Sequence, residues 1–91
     1  MLIVDIQPSL GVNIAGVQAV LNQHALNWYR FGPSSWLVAT FENANQWSAW
    51  LLPVVQQVPD GRLFVCRLSP ADRQGWMPQE FWKWVQNHES Q

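Results

Sequence analysis

The stretch from Gly32 to Phe41, GPSSWLVATF, restricts the fold of this chain more than any other. A Gly-Pro-Ser turn signal runs directly into Ser35–Phe41, which has almost no polar interruption. Side chains alternate along a strand, so Trp36 and Val38 point to one face of a sheet and Leu37, Ala39 and Phe41 to the other. Both faces are apolar, and such a strand is covered on both sides. Helices can cover one face of a small sheet. A second copy of the chain is expected to cover the other.

The flanking segments supply the rest of an α+β domain. Leu2, Val4 and Ile6 share one face of an opening strand, Ile3 and Asp5 the other, and Pro8 and Gly11 end it. Asn13 is placed to cap a helix running to about His24, with Ile14, Val17, Leu21 and Ala25 at helical spacing. Asn27–Phe31 reads as a strand that forms a hairpin with the central one. Asn43 caps a second helix whose apolar face carries Trp47, Trp50, Leu51, Val54 and Val55; Pro53 within it predicts a kink or an early end. After the turn Pro59-Asp60-Gly61, the strand Leu63–Ser69 turns Phe64, Cys66 and Leu68 one way and Leu63, Val65 and Arg67 the other. Pro78 suits the first turn of a last helix that buries Phe81, Val85 and Trp84, and the tail NHESQ is expected to fray. This order, βαββαβ with an additional C-terminal helix, predicts a single ferredoxin-like sandwich over residues 1–91, its second sheet face open in the protomer.

Composition narrows the classes of function. Only 12% of the residues are charged, against about 25% in an average domain, so much of the surface is apolar or amide-polar. That favours a buried interface, and a homodimer is the expected state. The net charge is −1 and no basic run is present, so charge does not support nucleic-acid binding. Cys66 is the only cysteine, which excludes an intrachain disulfide, fits a reducing compartment and reads as a packed, inert thiol. No apolar run approaches the ~20 residues that span a bilayer, and MLIVDIQPS lacks the pattern of a signal peptide. A cytoplasmic protein without membrane contact is expected.

The segments LIVDI, SSWLVAT, GRLFVCRLS, the Gly75-Trp76-x-Pro78 step and the closing FWKWV together resemble the small proteins grouped with the dimeric subunit of the CRISPR spacer-adaptation complex, in particular their SinR-like branch. The similarity runs over roughly Met1 to Val85 in pattern and spacing. It implies a ferredoxin-like fold, a homodimer, a prokaryotic or phage-defence context and an acidic residue at the end of the first strand. In nuclease-active relatives that acid holds a divalent metal for phosphodiester cleavage, and Asp5 is the matching residue here.

Asp5 is accordingly the one candidate catalytic residue. Two such carboxylates across a dimer axis could hold Mg²⁺ or Mn²⁺; otherwise no cofactor is expected. The structural alternative is that Asp5 ends its strand and caps the following loop. His24 and His88 have no Cys, Ser or Asp neighbour at nucleophile or metal-ligand spacing. The seven tryptophans exceed what the core of so small a domain can hold, so Trp28, Trp36 and Trp76, with Arg30, are candidate interface or ligand contacts. Trp28 and Arg30 share a strand face and would also suit base stacking. Two functions follow: a homodimeric interaction module without catalysis, contacting a protein partner, or a metal-dependent endonuclease centred on Asp5.

Overall fold

A computed structural model describes residues 1–91. The fold is α+β. Four strands, β1 (Leu2–Gln7), β2 (Asn27–Gly32), β3 (Ser35–Ala39) and β4 (Arg62–Arg67), form one antiparallel sheet in the order β2-β3-β1-β4. Three helices, α1 (Ile14–His24), α2 (Ala44–Val55) and α3 (Gln79–Asn87), complete it.

Local chemistry explains the helix starts. The Asn13 side chain accepts from the Gly16 amide at 2.9 Å, and that of Asn43 from the Gln46 amide at 2.8 Å, as expected of caps. Pro53 does not end α2, which runs two residues past it to Val55; its missing N–H costs the single bond that would have gone back to the Ala49 carbonyl. Gly61 closes the turn from α2 into β4. A Cβ there would lie 2.2 Å from the Val55 carbonyl oxygen. Gly61→Ala must therefore push α2 and β4 apart, and a loss of about 1–3 kcal/mol is expected in denaturant titration.

One sheet face meets α1 and α2. Leu2, Val4, Ile6, Trp36 and Val38 are fully buried there with Val17, Leu21, Trp47, Leu51 and Val55, and Trp28, Leu63 and Val65 pack at the margin. Trp47 donates its indole N–H to Thr40 Oγ1 at 3.0 Å, so the fully buried tryptophan of α2 is fixed in orientation as well. His24 stacks on Trp50 with ring centroids 3.7 Å apart, linking α1 to α2.

The second face departs from expectation. It is not left for a second copy to cover: α3 of the same chain lies over its β2–β3 half. Tyr29 packs against Phe81 and Trp84, with ring centroids 5.9 and 6.1 Å apart, and Phe31 against Phe81 at 5.9 Å. Leu37 and Ala39, on the same face as Tyr29, are buried within one protomer. The loop between Arg67 and Gln79 is long enough to carry the chain from the β4 edge back to β2, and the aromatic face of α3 then finds the aromatic face of β2. The tail is held as well. His88 contacts the Trp84 carbonyl oxygen at 2.7 Å and the Asn27 side-chain Nδ2 at 3.1 Å, and Arg73 pairs with Glu89. The central strand ends at Ala39, two residues early, and Phe41 is exposed beyond it. Cys66, expected to be packed, is exposed, because the half of this face formed by β1 and β4 is not covered by α3.

Candidate interaction surface

Asp5 stands on that second face, in register with Ser35 of β3 and Phe64 of β4. Its carboxylate is half-buried and already engaged. Ser35 Oγ donates to Asp5 Oδ1 at 2.6 Å, and Gln7 Nε2 donates to Asp5 Oδ2 at 3.1 Å. These bonds satisfy a charge that would otherwise be costly beside apolar neighbours. No cluster of three His, Cys, Asp or Glu side chains gathers here or elsewhere in the protein. Within one protomer, Asp5 joins β1 to β3 and has no second acid beside it.

The four aromatic and cationic candidates do not form one surface. Trp36 is wholly buried under the helices and offers no contact area, which removes it from the interface set. A central strand facing two helices has its largest side chain enclosed, whatever that residue's usefulness at a surface. Trp28 lies on the same face as expected, half-buried, and donates its indole N–H to Asn22 Oδ1 at 2.8 Å. Arg30 bonds the Gly32 carbonyl at 3.2 Å and that of Pro33, and its guanidinium sits 5.9 Å from the Trp36 ring centroid. It thus lies over the indole ring and holds the hairpin turn. Trp76 is the one candidate in full display, with 99% of its surface exposed.

Trp76 stands at the mouth of a cleft of about 360 Å³ between the β4–α3 loop and α3. Leu68, Met77, Phe81, Trp82 and Val85 make its apolar lining, with Asp72 and Arg73 at the rim. Phe64, 61% exposed on β4, and Leu52, 42% exposed on α2, are the large apolar side chains that regular elements expose. Sequence reasoning did not select either. Phe64 was legible as one side of an alternating strand, but which side would lie open depended on where α3 docks.

Compared with protein families, curated proteins and solved structures, the chain matches none. No helix is long and apolar enough to cross a membrane.

Proposed function

We propose that this chain is a homodimeric interaction module of the ferredoxin-like fold, acting by contact with protein surfaces and not by catalysis. The element order and the strand order β2-β3-β1-β4 support the fold assignment. The observation that carries contact with a protein partner other than the second copy is the display of Trp76 beside an apolar cleft in a chain with 12% charged residues. An indole held in water next to an apolar groove is the composition of an interface anchor, since burial of its large area is the main gain available on binding. The similarity of LIVDI, SSWLVAT and GRLFVCRLS to the dimeric CRISPR-adaptation subunit agrees with the homodimer. Static light scattering over micromolar concentrations tests it: a mass of two chains is expected, and a single-chain mass throughout would overturn the reading.

The metal-dependent endonuclease reading makes a separate demand on Asp5. With Ser35 and Gln7 as its partners, Asp5 serves as a strand-to-strand tie. Asp5→Asn keeps a side chain of the same shape but weakens the two charge-assisted bonds, so a loss of about 1–2 kcal/mol is expected. Mg²⁺ or Mn²⁺ should leave the melting temperature of both proteins unchanged. A metal-induced rise confined to the parent, accompanied by cleavage of nucleic acid, would favour the nuclease.

A further inference from the structure

The two edges of the sheet differ. Strand β2 has a register irregularity between Arg30 and Gly32, and the side chains of α3 pack on it. Strand β4 has neither protection. It pairs with β1 through six consecutive residues without a bulge, and its middle, Leu63 to Cys66, contains no Lys, Asp, Glu or Pro. These are the devices that normally keep a free edge from recruiting another strand.

The hydrogen-bond phase of this edge follows from the ladder. The Leu68 amide donates to the Met1 carbonyl oxygen at 3.0 Å, and pairing continues as Ile3 with Cys66 and Asp5 with Phe64. In an antiparallel ladder bonded pairs alternate with non-bonded ones. The N–H and C=O groups of Cys66 and Phe64 therefore point inward to β1, and those of Leu63, Val65 and Arg67 point outward. Apolar side chains border this row on both sides. Phe64 is exposed on the sheet face below it. Above it, α2 carries Trp50 on the flank stacked against α1, and Leu52, about 200° further round the helix, lies on the opposite flank, toward β4.

Resting on the homodimer reading above, we propose that the two copies join edge to edge through β4, antiparallel, making one continuous eight-stranded sheet. A second copy suits this edge better than an unrelated strand, because antiparallel self-pairing is two-fold symmetric and repeats every contact. Outward-pointing residues can pair only with outward-pointing residues. That phase excludes the register setting Arg62 directly against Arg67 of the partner subunit, and with Phe64 on the two-fold axis neither arginine lies opposite its own copy. Phe64 of both copies comes together near the axis on one face, and the Leu52 flanks of the two α2 helices approach on the other. The two Asp5 side chains would then stand three strand spacings apart, roughly 14 Å, too far to share a metal ion.

The test combines sedimentation equilibrium with amide exchange on the full chain. Phe64→Lys and Leu52→Lys alter exposed side chains, so circular dichroism should show both folded; each is expected to weaken dimerisation at least tenfold. Trp76→Ala, in the cleft beyond the C-terminal end of β4 and outside the outward-pointing row from Leu63 to Arg67, should leave it unchanged. In the parent, the amides of Leu63, Val65 and Arg67 should become protected as concentration rises. A dimer insensitive to both lysine variants, with those three amides exchanging freely, overturns the edge arrangement and leaves the homodimer standing. A dimer abolished by Trp76→Ala but not by the lysine variants also overturns the edge and moves the joint to the cleft. A parent monomeric at every concentration overturns both.

Discussion

Trp36→Ala is expected to cost about 3–5 kcal/mol, a large part of the 5–15 kcal/mol that holds a typical domain together. Trp36 is fully buried among Val4, Val38 and the residues of α1 and α2. Alanine would leave a void the size of an indole between a sheet and two helices, none of which can move in without uncoupling the others. In a domain of this size each kcal/mol lowers the melting temperature by roughly 4–8 °C, so a fall of well over ten degrees should be seen. The indole N–H of Trp36 has no hydrogen-bond partner in the chain. Phenylalanine removes that unpaired donor while keeping most of the ring, and Trp36→Phe should cost far less than alanine. Equal losses for the two variants would mean that filling the space between sheet and helices is not what Trp36 contributes.

Leu37→Ala is expected to cost about 2–5 kcal/mol and to act on a different part of the molecule. Leu37 points to the face that α3 covers, in register with Tyr29 and Ile3. It is buried within a single protomer. Truncating it should loosen α3 from the sheet, since α3 meets that face mainly through Phe81, Trp84 and Val85. Limited proteolysis distinguishes the two variants. Leu37→Ala should be cut early in the aromatic run Trp76–Trp84 while the rest of the chain resists. Trp36→Ala should be degraded as a whole. If Leu37→Ala unfolds at the midpoint of the parent, α3 is not what covers this face.

The candidate site was only partly legible. Asp5 stood out as a carboxylate in an apolar strand, but its partner Ser35 lies thirty residues away and reaches it only because β3 pairs with β1. Trp28, Trp36 and Trp76 were all plausible contacts by residue type. They separated only when burial assigned Trp36 to the core, Trp28 to its margin and Trp76 to solvent. Cys66 and Phe64 share one side of β4, yet no property of that strand shows that their side stays open.

The amino-acid sequence by itself determined the elements and their faces: the alternation of β3 and β4, the caps at Asn13 and Asn43, the turn at Gly61, and the end of α1 at His24. These rest on contacts between residues one to four positions apart, whose energies do not depend on where the rest of the chain goes. The tertiary structure alone decided that α3 returns across the sheet, that the second face of β3 is closed within one protomer, and that β4 is an unprotected edge. Each depends on which distant segments meet. An amphipathic helix records that it has an apolar face, but the surface that receives that face is settled by strand order and by the length of the connecting loop.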